Sequence, residues 1–247
     1  MSATPSKDLH SIIGIYKAPA GVSRKEFDAH MQRLMAPLAL VPVVKKLRDL
    51  NVIYQNDEMT ESIQGLGMPP APATVMVTAS SENRDDMVEY VQDPEVVRLI
   101  HGAENFGLQA GACAFTADLT VEINKPTAKA RKHGIFIFKI PAHLSEEQYH
   151  KKIDAMTNDF LAVPVAQKHL VKYSKWVKND SFVDELKRWK YPDAERVVVL
   201  MLEWDDLDSM KEVLTHEQIQ KVIAGAKEDL GLHIDSNCFS ADVVNLI

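Results

Sequence analysis

The sequence contains little of what marks several large classes of proteins. Two of its 247 residues are cysteines, Cys113 and Cys238, which favours free thiols and excludes a disulfide framework. No apolar run approaches the ~18 residues of a membrane span, and no signal-peptide pattern opens the chain. We therefore expect a cytoplasmic protein that has no membrane partner.

Positive charge is also scarce. The 28 basic residues are outnumbered by 35 acidic ones, for a net charge of −7, so a basic face for nucleic acid is not expected. No phosphate-binding glycine loop, nucleophile elbow or zinc spacing is present, and Gly65-Leu66-Gly67 indicates only a turn. No axial ligand for haem stands out among the nine histidines. We predict that no metal or organic cofactor is used.

What is present is the composition of an ordinary globular protein. Hydrophobic residues make up 46% of the chain and charged residues 26%, which argues against disorder. A chain of this length has room for two compact domains of roughly 100 to 125 residues each.

A repeat divides the chain. Moving the sequence by about 122 positions superposes residues 12–54 on a second stretch without a gap, which indicates duplication of one folding unit. The matched pairs include Lys17/Lys139, Pro19/Pro141, Ser23/Ser145, Phe27/Tyr149, Met31/Ile153, Leu34/Met156, Leu38/Phe160 and Tyr54/Trp176. We therefore predict a first half (residues 9–124), a linker (125–132) and a second half (133–247).

Each half has the pattern of a ferredoxin-like unit. A short apolar strand precedes a capping box, Ser23 with Glu26 or Ser145 with Gln148, and a helix with one apolar stripe follows. The order continues as β-α-β-β-α-β, with the second helical region broken in two. Strands such as 197–200 are apolar at every position, so both sheet faces should be buried. The predicted fold is α+β: tandem ferredoxin-like repeats that form an intrachain dimeric α+β barrel.

Several local features have more than one interpretation. Residues 56–73, rich in glycine and proline, form either a flexible surface insertion or a binding loop or lid. Their counterpart, residues 178–195, should hold a helical turn. Thr215 with Gln218 has the pattern of a capping box, and residues 1–8 form a polar tail. We expect a monomer with a pseudo-two-fold axis, and association into a homodimer through outer surfaces stays open.

The first helix resembles that of EthD-like proteins in the dimeric α+β barrel superfamily. The resemblance rests on Phe27-x-x-His30 followed by Met35-Ala36-Pro37-Leu38, and on Asp93-Pro94-Glu95 with Glu104-Asn105-Phe106. It implies a barrel whose relatives include polyketide cyclases, cofactor-free oxygenases, lactone isomerases, haem enzymes and stress-response proteins. It also implies a ligand site between a sheet and its own helices. Met35 stands where the family often has a second histidine, so that role is not carried over.

The two halves differ in chemistry-bearing side chains. The first half has Tyr16, His30, Tyr54 and His101 where the second has Phe138, Lys152, Trp176 and Ala224. We predict His30 as a general base, because an imidazole titrates near neutral pH, with His101 and Tyr54 as further catalytic candidates. The alternative is a histidine at the core edge and tyrosines that only pack.

A second set of residues is predicted to contact the substrate. Its members are Tyr16, Phe27, Met31, Met35, Tyr149 and Trp176. In the second half an aromatic-walled cleft, which serves either as core or as a ligand box, is expected from Tyr149, His169, Tyr173, Trp176 and Trp189.

The function predicted from these residues is that of a small-molecule enzyme. It would act by proton transfer on an aromatic or polyketide-like carbonyl compound, as a cyclase, isomerase or decarboxylase. The alternatives are a non-catalytic barrel protein that binds a small hydrophobic or aromatic ligand or serves in stress response, and a cofactor-free oxygenase.

Overall fold

The computed structural model describes residues 4–5, 9–102, 106–107, 111–127, 130–192 and 195–247. The strands are β1 (Thr4–Pro5), β2 (His10–Lys17), β3 (Asp49–Asn56), β4 (Thr74–Ser81), β5 (Ala112–Asn124), β6 (Lys132–Lys139), β7 (Leu170–Asn179), β8 (Val197–Trp204) and β9 (Ser236–Asn245). The β5 and β9 strands are longer than the short final strands that the sequence predicts, and Thr4–Pro5 pairs with β5 instead of remaining a free tail.

The helices cover the outside of the sheet. They are α1 (Arg24–Leu38), α2 (Thr60–Gly65), α3 (Arg84–Gln92), α4 (Pro94–Gly102), α5 (Glu146–Ala162), α6 (Pro164–His169), α7 (Val183–Leu186), α8 (Leu207–Thr215) and α9 (Glu217–Leu230). Short 3-10 turns span Pro42–Lys46 and Lys187–Trp189. Among the helices in the described ranges, none combines the length and apolar character needed to cross a membrane.

Side-chain caps begin the main helices. Ser23 with Glu26 starts α1 and Ser145 with Gln148 starts α5, both as complete capping boxes, which confirms the prediction. The capping box predicted at Thr215 is wrong. The Thr215 hydroxyl donates to the Lys211 carbonyl inside α8, and His216 is the residue that caps α9.

Eight antiparallel strands close into a barrel. Their order is β5-β2-β4-β3-β9-β6-β8-β7, and β7 pairs back onto β5 to complete the circle. Two seams join the halves: β3 pairs with β9 from Asn51↔Asn245 to Asn56↔Ser240, and β5 pairs with β7. Within each half the corresponding strands follow the same order.

Strands β4 and β8 are buried at every position, so both of their faces are covered, as the sequence predicts for residues 197–200. On β8, Val197, Val199 and Met201 point into a cluster inside the barrel, which we call the barrel core. Alternate residues on that strand join a second cluster under the helices, the second-half core. On β2 the same alternation places Ile13 and Ile15 in the barrel core. Ile12 and Tyr16 point the other way and join a third cluster, under the helices of the first half, which we call the first-half core. Three apolar layers therefore stabilise the molecule.

The two long connections cross between the halves. Residues 57–73, which we call the α2 connection, place Ile63 and Leu66 in the second-half core. Residues 180–192, the α7 connection, place Phe182 and Trp189 in the first-half core. The helical turn expected in the α7 connection is present. The α2 connection is not a flexible insertion, because its apolar side chains are buried against the opposite half.

Candidate functional site

Aromatic side chains fill the space between sheet and helices in the first half. The Tyr16 hydroxyl lies 2.9 Å from the Tyr191 hydroxyl, and the two rings meet edge to face. Trp189 packs edge to face on both Tyr90 and Tyr191, and its indole N–H donates to the Val91 carbonyl at 3.0 Å. The Tyr16 and Tyr191 hydroxyls are hydrogen-bonded to each other, so neither needs a ligand as its partner.

Burial controls the acidity of these hydroxyls. It raises the pKa of Tyr16 to about 12, and the hydrogen bond from Tyr191 only partly opposes this. Burial also raises the pKa values of Tyr90 and Tyr191 above their ordinary value. These phenols are therefore neutral at physiological pH and act only as hydrogen-bond donors or acceptors.

His30 lies at the rim of the first-half core. Its imidazole stacks on the Phe106 ring, with the ring centroids 3.6 Å apart and nearly parallel. Burial, followed by the charge of Arg33, lowers the pKa of His30, so the imidazole is neutral near pH 7. A neutral imidazole suits a base, and the stacking suits a structural role equally well.

The other first-half candidates are dispersed. The His101 Nε2 lies 2.8 Å from the Arg188 carbonyl oxygen, which ties α4 to the α7 connection. Tyr54 is half-buried beside the first-half core, and burial followed by the charge of Asp28 raises its pKa to about 12. Of the predicted substrate contacts, Phe27, Met31 and Met35 join Tyr16 in the first-half core. Of the predicted family region near α4, residues 104–105 lie outside the described residues.

The aromatic cleft expected in the second half is divided by the structure. Trp176 points into the barrel core and Trp189 belongs to the first-half core, whereas Tyr149 and Tyr173 remain in the second-half core. His169 lies near α8, with its Nδ1 3.0 Å from the Ser209 hydroxyl. The five side chains therefore do not line one space.

A small cavity lined by apolar side chains lies between the sheet and helices of the second half. Its volume is about 30 Å³. The residues that line it are Leu66, Phe136, Phe138, Met156, Thr157, Phe160, Tyr173, Leu200, Leu202, Leu214, Ile219 and Ile223. Leu66 comes from the α2 connection, so the opposite half contributes part of the wall.

Two hydroxyls supply the polarity of this cavity. The Thr157 Oγ1 and the Tyr173 hydroxyl are 2.8 Å apart, and both residues are buried. Burial raises the pKa of Tyr173, and the Thr157 hydrogen bond opposes this in part. Tyr149, in the same core, has a buried hydroxyl without a hydrogen-bond partner among the described residues. The second half therefore holds neutral hydroxyl donors in apolar surroundings.

Corresponding positions of the two halves differ in the size and polarity of their side chains. Counting 122 or 123 residues along the chain relates four aromatic residues of the first-half core to smaller or less polar side chains. The pairs are Tyr16/Phe138, Tyr90/Val213, Trp189/Leu66 and Tyr191/Met68. Two of these pairs, Trp189/Leu66 and Tyr191/Met68, lie on the α7 and α2 connections. In all four pairs the smaller or less polar residue lies in the second-half core.

Sequence reasoning missed Thr157 and Tyr173 as a pair. The signal was available in the repeat that the sequence predicts, in which Thr157 is the counterpart of Met35 and Tyr173 that of Asn51. The prediction that catalytic side chains lie in the first half compared only positions where the first half has a histidine or tyrosine. Positions where the second half has the polar side chain were not compared. Among residues with described positions, no group of three or more His, Cys, Asp or Glu side chains could hold a metal ion.

Comparisons with known proteins bear on the fold. No family model matches the chain, and no curated protein matches it. An anthrone oxidase-like protein of known structure superposes with a TM-score of 0.59 at 7% identity, over 99% of this chain and 97% of that one. A proposed monooxygenase from Fusobacterium nucleatum superposes with a TM-score of 0.56 at 6% identity, over 96% and 93%.

At these identities the likeness shows the fold alone. The chain has a mixed α/β fold with a closed antiparallel barrel of eight strands, as the dimeric α+β barrel proteins have. The fold therefore places this chain among proteins with a closed antiparallel barrel whose outer face is covered by helices, with clefts between sheet and helices.

Proposed function

We propose that this chain is a small-molecule enzyme, built from tandem ferredoxin-like repeats, whose substrate binds in the sheet–helix cleft of the second half. The observation that carries the proposal is the Thr157–Tyr173 hydroxyl pair in the wall of a small apolar cavity. Ligand sites combine mostly apolar walls with a few placed polar groups, and this cleft has that character. Thr157 also occupies the position where EthD-like proteins, which the first helix resembles, often have a second histidine.

The hydroxyls suit a carbonyl substrate that loses a proton. A neutral phenol donates a hydrogen bond to a carbonyl oxygen and donates more strongly to the enolate that forms when the neighbouring C–H ionises. Tyr173 stays neutral because burial raises its pKa. The lining residues include no carboxylate and no imidazole, so the substrate needs a C–H that is already acidic. Aromatic and polyketide-like ketones have such C–H groups.

A substrate must enlarge the cavity that the structure shows. About 30 Å³ is close to the space of one water molecule, whereas ligand sites span roughly 300 to 1,000 Å³. Leu66 and Met156 are the wall residues best able to move, because Leu66 lies on a connection and methionine has three flexible torsions. The partner in this proposal is a small, flat, apolar molecule.

A second candidate is a cofactor-free oxygenase. It is favoured by the fold neighbours, one named as anthrone oxidase-like and one as a proposed monooxygenase. The first step would be the same loss of a proton to give an enolate that Tyr173 stabilises. This enolate is rich in electrons and would react with dioxygen. The CH₂ group beside the aromatic ring then becomes a carbonyl, and each dioxygen consumed releases one water.

The experiment measures turnover of anthrone with and without dioxygen. Proton-transfer chemistry continues in the absence of dioxygen, as deuterium exchange at the acidic carbon, whereas an oxygenase forms product only when dioxygen is consumed. For either reaction Tyr173→Phe should lower the rate about 10²- to 10³-fold, the usual loss on removing one donor to a developing oxyanion.

The matched control is Tyr16→Phe. It removes the equivalent kind of hydroxyl from the Tyr16–Tyr191 pair in the first half. Turnover within about twofold of wild type is expected, because Tyr16 lies outside the cavity and its hydroxyl already pairs with that of Tyr191. A loss in Tyr16→Phe with normal Tyr173→Phe would move the site to the first half. Binding without turnover would favour the non-catalytic ligand-binding role.

A first-half site based on His30 is the competing hypothesis. If His30 is a general base, His30→Ala should lower the rate about 10²- to 10⁴-fold with the fold intact. If its role is stacking on Phe106, the same change lowers stability and leaves turnover of the folded protein unchanged. Lys152→Ala, at the counterpart position, is the control and should do little to turnover.

A further inference from the structure

A second cavity, distinct from the sheet–helix clefts, lies at one end of the barrel. Its volume is about 560 Å³, within the range of small-molecule sites. Its floor is apolar and contains the buried barrel-core residues Ile15, Ile137 and Val197. Ile234, which is 67% exposed and thus an unusually open apolar side chain, lies at its rim.

The cavity wall is built from equivalent positions of the two halves, with different chemistry on each side. Lys17 and Lys139 end the corresponding strands β2 and β6 of the two halves. Beside Lys17 the first half contributes Gly111, Ala112 and Cys113. At the corresponding positions, beside Lys139, the second half contributes Asp235, Ser236 and Asn237. The residues beside Lys17 are therefore uncharged, whereas those beside Lys139 are acidic or polar. Glu195 lies between the two sides, because it interacts with both Lys139 and Cys113.

The two lysines differ in how their charge is balanced. Lys139 Nζ lies 3.2 Å from Glu195 Oε1, and the charges of Glu195 and Asp235 raise its pKa. Lys17 has no ion pair within the described part of the chain. An ammonium group over an apolar floor with no carboxylate of its own is the place where an anionic group gains most.

A polar group in the floor is also unmatched. Asn237 is 6% exposed and lines the cavity. Its Nδ2 donates to Thr74 Oγ1 at 2.8 Å, and Thr74 Oγ1 donates to the Pro72 carbonyl, which fixes the proline-rich rim. The Asn237 Oδ1 is buried and lacks a hydrogen-bond partner among the residues that the structure describes. A hydroxyl group on the ring of a bound ligand would donate a hydrogen bond to it, whereas an unsubstituted ring leaves it unpaired.

We propose that the barrel-end cavity binds an aromatic carboxylate, with the carboxylate on Lys17 Nζ and the ring on the floor formed by Ile15, Ile137 and Val197. The prolines of the rim, Pro69, Pro70, Pro72 and Pro192, complete an apolar collar around the ring. The occupant is one small monoanion, because the second lysine is already neutralised. This site is independent of the sheet–helix cleft and of the chemistry proposed for it.

Calorimetric titration of the full chain with cinnamate, and with its neutral amide cinnamamide, tests the proposal. Wild type should bind cinnamate, and Lys17→Met should weaken that binding about tenfold, because an ion pair with a partly desolvated carboxylate is lost. Cinnamamide affinity should change less than about twofold in the same variant. Lys17→Met should keep the melting temperature of wild type, since Lys17 has no ion pair to lose.

The matched control is Lys25→Met, which removes one exposed positive charge on α1, outside the cavity. Its cinnamate affinity should stay within about twofold of wild type. Equal losses in Lys17→Met and Lys25→Met would reduce the effect to net charge and overturn the site. So would unchanged cinnamate binding in Lys17→Met, an equal loss of cinnamamide binding, or no cinnamate binding by wild type at millimolar concentration.

Discussion

Glu203 is a carboxylate that the protein almost fully encloses, and its partners show how a buried charge is tolerated. Its side chain is 4% exposed and pairs with Arg131 and with Lys172, whose Nζ lies 3.3 Å from Oε1. His133 lies opposite it on the neighbouring strand. An enclosed charge is stable when such partners satisfy it, and removal of a partner is costly.

Arg131→Ala should therefore lower the free energy of unfolding. We expect a loss of about 1 to 3 kcal/mol, the cost of a buried charged group that loses a hydrogen-bond partner. Urea unfolding measures it. The control is Lys152→Ala, which breaks the exposed Lys152–Asp229 pair and should cost less than about 1 kcal/mol. Equal losses in the two variants would contradict the buried role of Glu203.

His133 should make stability depend on pH. Burial lowers its pKa in the folded protein, although the nearby charge of Glu203 opposes the shift. As pH falls below the ordinary histidine value of about 6.5, the unfolded chain binds a proton before the folded one does. The contribution of His133 is therefore complete above that pH and is lost as pH falls through the lowered pKa.

The measurement is the loss of unfolding free energy between about pH 7.5 and about pH 5.5, by urea titration. His133→Gln should show a smaller loss than wild type, because the group that takes up the proton in the unfolded chain is gone. His30 and His150, whose pKa values are also lowered by burial, are present in both proteins and cancel in the difference. A loss as large in His133→Gln as in wild type would contradict this assignment.

At the scale of elements, the α2 and α7 connections each place buried side chains in the core of the opposite half. Ile63 in α2 is 2% exposed and packs in the second-half core, although its connection begins and ends in the first half. Trp189 does the reverse from the α7 connection. Each connection therefore fastens one half to the other in addition to joining two strands.

Truncation of Ile63 should test that role. Ile63→Ala should lower the free energy of unfolding by about 2 to 5 kcal/mol, the usual range for a fully buried aliphatic side chain. Chemical denaturation is the measurement. Leu40→Ala is the control, because Leu40 is 79% exposed and should change stability by less than about 0.5 kcal/mol. A mobile insertion would instead give two equally small effects.

At the scale of the whole molecule, one chain supplies every pairing of the barrel. The two seams, β3 with β9 and β5 with β7, join strands of different halves. The barrel core draws residues from both halves, such as Ile13 and Phe115 from the first and Ile135 and Phe239 from the second. Neither sheet can bury its inner face without the other.

The folded unit should therefore be a single chain. Sedimentation should give the mass of one chain at low concentration, and the melting temperature should not depend on protein concentration, because no association step is linked to folding. A melting temperature that falls on dilution would mean that a second chain is needed. Association through outer helices would appear as a larger mass that dissociates without unfolding.

The features that could be predicted are those that depend on residues close together in the sequence. Ser23 and Ser145 were recognised as helix starts because a cap depends on residues three positions apart. The pattern at Thr215 had the same form but failed, because its hydroxyl bonded backwards into α8. The Thr157–Tyr173 pair depends on how α5 lies on β7, so no single window of sequence contained it.

The sequence by itself determined the fully buried strands such as β8 and the capped starts of α1 and α5, because periodicity and capping act over a few residues. Tertiary structure alone decided that the two long connections exchange halves, since that choice depends on which cores have space. It also decided that Trp176 enters the barrel core and Tyr173 the cleft. Neighbouring strand residues alternate between faces, so which aromatic rings meet follows from sheet closure and not from their order in the chain.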